Sequence, residues 1–177
     1  LDMPFIIKVL KPVLPVAFNE LFWSLGITTY NIIYARIGTE AIAAMNIAAT
    51  IDSLMFVLFI GIGNATAILV GNLIGAGEEH KAQQYAVRSL VLAVMLAILI
   101  GGIIFIISPW ILSLYRVSTA VILNARRVLT IISLLLWMRA WNMVMFVGVL
   151  RSGGDTRFAF LLDAVIIWVL GVPMAFL

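Results

Sequence analysis

Val91-Leu92-Ala93-Val94-Met95-Leu96-Ala97-Ile98-Leu99-Ile100-Gly101-Gly102-Ile103-Ile104-Phe105-Ile106-Ile107 contains no charged or hydrogen-bonding side chain. With the residues before it, the apolar segment runs from about Gln83 to Ile107 and closes at Ser108-Pro109. A helix rises about 1.5 Å per residue, so roughly 20 such residues cross the ~30 Å hydrocarbon core of a bilayer. A membrane barrel strand would alternate apolar and polar side chains instead. This run does not alternate, and it reads as a membrane-spanning helix.

Working outwards, polar clusters set off four more apolar runs. Residues 12–35 end at Arg36-Ile37-Gly38-Thr39-Glu40, and residues 41–74 end at the turn Gly75-Ala76-Gly77-Glu78-Glu79-His80-Lys81. The second run, at 34 residues, exceeds what a bilayer needs, so its start is expected to be a separate amphipathic turn or two. Beyond Pro109 a loop or short surface helix is expected to carry Tyr115-Arg116-Val117-Ser118. Residues 128–150 end at Arg151-Ser152-Gly153-Gly154-Asp155-Thr156-Arg157, and residues 158–177 are still apolar where the sequence stops. The expected architecture is all-α, a polytopic transmembrane helix bundle. It forms one transmembrane domain over residues 1–177, with spans at 12–35, 41–74, 83–107, 128–150 and 158–177. The opening Leu1-Asp2-Met3-Pro4 and the apolar last residues read as the edges of a piece of a longer protein.

Composition agrees. Of 177 residues 64% are hydrophobic and 11% charged, and the mean hydropathy is +1.20, whereas soluble domains carry about 45–50% and about 25%. The net charge of +3 is scattered and forms no basic stripe for nucleic acid. Cysteine is absent and His80 is the single histidine, which excludes disulfide frameworks and cysteine-based zinc sites. No phosphate-binding Gly-x-x-x-x-Gly-Lys-Ser/Thr loop is present, and no cofactor is expected. Lys8, Lys11, Lys81, Arg88, Arg151 and Arg157 fall on one side of the expected spans, against Arg36, Arg116, Arg126 and Arg127 on the other. Six against four favours the first side as cytoplasmic.

An ionisable group at the centre of a membrane helix costs about 2.5–3.5 kcal/mol on insertion scales, so each one needs a reason. Glu20 follows Pro12 and Pro15, which free backbone carbonyls nearby. Ser24, Thr28, Asn31 and Tyr34 continue from it at three- and four-residue steps, making one polar stripe. A stripe headed by a carboxylate suits the wall of a cation cavity: the acid can take a proton, or with neutral oxygens it can coordinate sodium. Its plainer role would be to neutralise a buried arginine. Arg139 lies mid-span with Asn142 beside it and needs a carboxylate from another helix, with Glu20, Asp52 and Asp163 as candidates. Asp163 sits only six residues into the last span, near the membrane edge. Asn46, Thr50, Ser53, Gly61 and Asn64 share one helical face, and Gly71 and Gly75 form a close-packing step. Met138, Trp141, Met143 and Met145 give either an adaptable greasy wall or plain packing.

The order of these motifs resembles the second half of the multidrug and toxic compound extrusion (MATE) transporters. The segments that carry the resemblance are Leu14-Pro15-Val16-Ala17-Phe18-Asn19-Glu20, Gly38-Thr39-Glu40-Ala41-Ile42-Ala43-Ala44-Met45-Asn46-Ile47, Gly61-Ile62-Gly63-Asn64-Ala65 with Gly71 to Gly77, Gly148-Val149-Leu150-Arg151-Ser152-Gly153-Gly154-Asp155-Thr156-Arg157, and Trp168-Val169-Leu170-Gly171-Val172-Pro173. The resemblance covers essentially the whole chain. It implies helices seven to eleven of twelve, five of the six helices of one lobe in a two-lobe repeat. The first lobe and the last helix would be partners from the same chain. It further implies a secondary antiporter, not an enzyme, in the inner membrane of a bacterium. Such a protein exports small cationic amphiphilic compounds against sodium or protons, with Glu20 as the coupling acid and a sodium at Glu20 in the sodium-driven case. Asn31, Tyr34, Asn46, Asn64, Arg139, Asn142 and Asp163 become cavity or charge-pair candidates, and membrane lipid the surrounding partner. Some members of the family carry an aspartate in the tenth helix; here that region reads Arg139-Ala140-Trp141-Asn142 without an acid. Two alternatives stand beside export. A flippase for lipid-linked oligosaccharide or polysaccharide would call for several deep cations, and only Arg139 is deep. A non-transporting membrane scaffold would need neither Glu20 nor its stripe.

Overall fold

The computed structural model describes residues 3–153 and 156–175. Among the described residues there are helices and turns and no strand. Helix α1 is Met3–Ile37, α2 Thr39–Gly75, α3 Glu79–Ser113 and α4 Thr119–Met143, which continues as a π-helical segment, Val144–Leu150. Helix α5 is Thr156–Val165, followed by a second π segment, Ile166–Gly171, and α6, Val172–Ala175. Length and apolar character single out Thr39–Gly75, Glu79–Ser113 and Thr119–Leu150 as able to cross a membrane. Helix α1 has the length but carries Asn19, Glu20, Ser24, Thr28, Thr29 and Asn31 along it, and Ile166–Ala175 is apolar but short. The chain is compact in two units: Gly38–Gly153, and α1 with α5 and α6.

In the Gly38–Gly153 unit, each helix buries a stripe with a period close to that of the helix. The buried positions are Ile47, Ile51, Met55 and Phe59 on α2, Ala86, Leu90, Ala93 and Ala97 on α3, and Ala125, Leu129, Leu136 and Ala140 on α4. Steps of three and four residues keep one seam facing the neighbours. The α3 seam is mostly alanine and glycine, and small residues let membrane helices approach backbone to backbone, where packing rather than water drives association. Among the glycines of this unit Gly101 is the most tightly packed: a Cβ there would lie 2.5 Å from the Ser133 carbonyl oxygen of α4. The outer faces carry Leu54, Ile68, Met95, Ile98, Ile106 and Leu134, all exposed. An apolar surface of that extent is stable in lipid and not in water.

The ends of the helices follow local chemistry. Helix α2 closes with Gly77 at φ 77°, where the Gly77 amide donates to Ile74 O at 3.0 Å and that of Glu78 to Leu73 O at 2.9 Å. This pair of bonds satisfies carbonyls the helix end would otherwise orphan, and glycine takes the left-handed conformation they need without strain. Ser118 caps α4 by accepting the Val121 amide at 3.4 Å, and its hydroxyl also donates to Glu40 Oε1 at 3.5 Å. Helix α4 therefore starts nine residues before the Val128 edge expected from hydropathy, with Arg126 and Arg127 on its exposed side. No separate amphipathic turn precedes α2, which is unbroken because Ala44, Ile47 and Ala48 at its start already pack in the core.

Pro109 does not close the third helix; it lies inside α3. Its missing N–H would have served the Phe105 carbonyl, and the Ser108 hydroxyl donates to that oxygen at 3.2 Å instead. Ser108→Ala is accordingly expected to cost about 1 kcal/mol and lower the melting temperature of the detergent-purified full-length protein. Adding Pro109→Ala should recover most of that loss, because the new amide supplies the donor. Failure to recover would break the link between the two residues.

Candidate functional site

Helix α1 shows one packed face and one polar face. Asn19, Gly26 and Ile33 are buried at seven-residue spacing. On the packed side the Trp168 indole donates from Nε1 to Phe22 O at 3.2 Å, and its ring meets Phe22 edge-on, 6.3 Å between centroids at 86°. At 3.6 residues per turn, Glu20 and Asn31 stand roughly 120–160° round the helix from Gly26 and Ile33. Both are exposed, as is Ser24, while Tyr34 is half-buried at the edge of the stripe.

The same division holds on α2. Asn46, Thr50, Ser53, Gly61 and Asn64 are exposed, and Asn46 stands about 180° from the buried Met55, nine residues on. Asn31 on α1 and Asn46 and Asn64 on α2 are exposed, and an unpaired amide in an apolar medium costs several kcal/mol.

Hydrogen bonding separates these residues further. Thr28 donates to Ser24 O, Thr50 to Asn46 O and Ser53 to Ala49 O, each at 2.9 Å. A hydroxyl satisfied by its own helix needs no ligand. The Asn31, Asn46 and Asn64 amides have no such internal solution among the described residues, so they retain donor and acceptor capacity.

Arg139 is paired. Of its three candidate carboxylates the structure places Asp52 against it, Nη1 to Oδ1 at 2.5 Å, with the guanidinium over the Phe56 ring at 4.8 Å. Asp52 and Phe56 are four residues apart and so share one side of α2. The Asp52 side chain is 18% exposed and that of Arg139 41%. Asp52 lies towards the packed side of α2, about 60° round the helix from the buried Met55, and Asn142 is exposed on α4. The Asp163 side chain lies outside the described residues. Sequence reasoning passed over Phe56, for which the four-residue step from Asp52 was the available signal.

A family model for MatE matches residues 15–177, and the chain belongs to that family. The multidrug resistance protein MdtK of Pectobacterium atrosepticum is 30% identical over 164 residues, covering 93% of this chain and 36% of its own length. The uncharacterized transporter YisQ of Bacillus subtilis is 29% identical over 174 residues, 96% of this chain and 37% of its own length. A probable multidrug resistance protein NorM of Pasteurella multocida is 28% identical over 145 residues, 82% and 31%. These names denote resistance and transport, not catalysis. The chain spans about a third of the length of these relatives. Among solved structures, an outward-facing multidrug resistance MATE family transporter of the MOP superfamily aligns with a TM-score of 0.72 at 25% identity, over 92% of this chain and 39% of that one. A MOP superfamily transporter from Pyrococcus furiosus shares the fold at a TM-score of 0.72 and 24% identity, with the same coverage.

Proposed function

We infer that the full protein is a secondary antiporter in a bacterial inner membrane, exporting cationic amphiphilic compounds in exchange for sodium or protons by alternating access. Residues 1–177 supply much of its second lobe. The observation that supports this reading is the polar stripe of α1, on which the exposed Glu20 and Asn31 lie about 20° apart round the helix. One carboxylate there attracts both a cationic solute and a coupling cation, and once neutralised by either it holds the other poorly. That mutual exclusion is the elementary requirement for exchange. Among the described residues no group of three His, Asp or Glu side chains gathers together, so sodium at Glu20 would be held by one carboxylate and neutral oxygens such as those of Asn31. The exposed Trp141 and Met138 would offer the solute an adaptable apolar wall. Flipping of a lipid-linked oligosaccharide lacks its anchor, because the deep cation Arg139 is already neutralised by Asp52.

Expressed in a drug-hypersensitive bacterium, the full-length protein is expected to raise tolerance to several cationic dyes or biocides, and Glu20→Gln to return it to the background of empty cells. Wild-type protein that raises tolerance to none of them would overturn export. Full protection by Glu20→Gln would remove the acid from coupling and leave export standing. Imposed sodium or proton gradients across proteoliposomes then identify the ion.

A further inference from the structure

Near the start of α3 two depressions adjoin. One is polar and lined by His80, Gln83, Gln84, Val87 and Arg88. The other is an apolar cleft of about 440 Å³ between α2, α3 and the π segment, with Val70, Ala86, Leu90, Met145 and Val149 in its walls. Gln83 and Val87 line both, so the two are continuous along the helix.

Arg88 is exposed, and among the described residues no carboxylate lies within ion-pair distance of it. Its guanidinium sits only loosely over Tyr85, 6.0 Å from the ring centroid. Lys81, by contrast, is occupied by Glu78 at 2.7 Å. Arg88 precedes by two residues the uninterrupted apolar run that begins at Leu90, which sets it at the boundary between headgroups and hydrocarbon. Long side chains on a helix lean towards its N-terminus, so the guanidinium reaches back one turn, to the level of Gln84. There the Gln84 amide already lies 3.3 Å from His80 Nδ1. A planar cation flanked by neutral donors matches a phosphodiester oxygen pair.

We propose that Arg88, with Gln84 and His80 beside it, holds the phosphate of an anionic phospholipid whose upper acyl chain lies past Val87 in the cleft walled by Leu90, Met145 and Val149. A soluble anion would use the arginine and leave the cleft empty. A zwitterionic lipid could use the cleft, but its own ammonium competes for the phosphate charge. An anionic phospholipid uses both. Glu79 lines the outer end of the cleft, nine residues and about 13 Å back along the helix, where its charge keeps a phosphate from settling.

Native mass spectrometry of the detergent-purified full-length protein tests this. Phosphatidylglycerol is expected to be retained in preference to phosphatidylcholine. One basic side chain at a lipid surface is worth a factor of about five, so Arg88→Gln should weaken phosphatidylglycerol binding about fivefold and Arg88→Lys should restore part of it. Val87→Trp, a surface change, should obstruct the cleft and weaken binding with Arg88 intact. Glu79→Gln should not weaken it. Glycerol 3-phosphate, a headgroup without tails, should not bind measurably. Equal retention of the two lipids, indifference to Arg88→Gln, or glycerol phosphate binding that ignores Val87→Trp would each overturn the site. Circular dichroism establishes that the variants are folded, and a misfolded Arg88→Gln leaves Arg88→Lys and Val87→Trp to decide.

Discussion

Gly101→Val is expected to destabilise the protein severely, by about 3–5 kcal/mol, at the upper end of single-residue effects. The first side-chain carbon alone would stand 2.5 Å from the Ser133 carbonyl oxygen, with Leu136 Cβ at 3.8 Å. The obstacle is backbone, which cannot rotate aside as a side chain can, so α3 and α4 must separate and forfeit seam contacts on either side. Gly102, next in sequence, is exposed and has open space around its would-be Cβ. Gly102→Ala should be neutral or mildly stabilising, since alanine is favoured over glycine in a helix by up to about 1 kcal/mol. Thermal unfolding of the two full-length variants in detergent, with the monodisperse yield of each, makes the comparison. Equal stability would mean that α3 and α4 do not approach as closely as described.

Asp52→Asn carries the second large effect. It leaves the Arg139 charge facing Phe56 with no counter-ion, and removing one partner of a buried pair costs about 3–5 kcal/mol. Because the Arg139 side chain is 41% exposed, about 2–3 kcal/mol is the fitting expectation. Adding Arg139→Gln should return much of the loss, since residues in direct contact couple by about 0.5–3 kcal/mol. A simple sum of the two single losses would show that the pair is not an energetic unit. The same double variant separates two roles for the pair. A fixed strut recovers export together with stability, whereas a pair that opens during transport recovers stability alone.

That Glu20, Ser24 and Asn31 share a side of α1 was legible in the sequence because helical periodicity is local: residues three and four apart must share a side, whatever α1 packs against. The Arg139–Asp52 pair was not, because 87 residues separate its members and three carboxylates were equally eligible by charge. Only the packing of α2 on α4 selects Asp52. Helix ends failed for a different reason. Arg126 and Arg127 look like the edge of a span to a hydropathy sum, yet both lie on the exposed side of a helix already begun at Thr119, and Ser118 was the cap that could have announced it. Pro109 misled likewise, because the sum has no way to register that the neighbouring hydroxyl takes over the lost donor. The polar faces of α1 and α2 gained meaning only with the packed faces in view, since a stripe is informative by what it is turned away from.

The alanine and glycine seam of α3 has a mechanical consequence. Three rods that merely touch bend one at a time, but rods bonded closely along their length bend as a composite beam, whose stiffness rises steeply with its combined cross-section. With backbones in near contact at Gly101 and small side chains above and below it, Gly38–Gly153 has little slack for one helix to slide along another. Thermal bending of a single helix, which would smear the spacing between Asn46 and Asn64, is suppressed by its neighbours. The polar face of α2 is thus carried on a stiff beam.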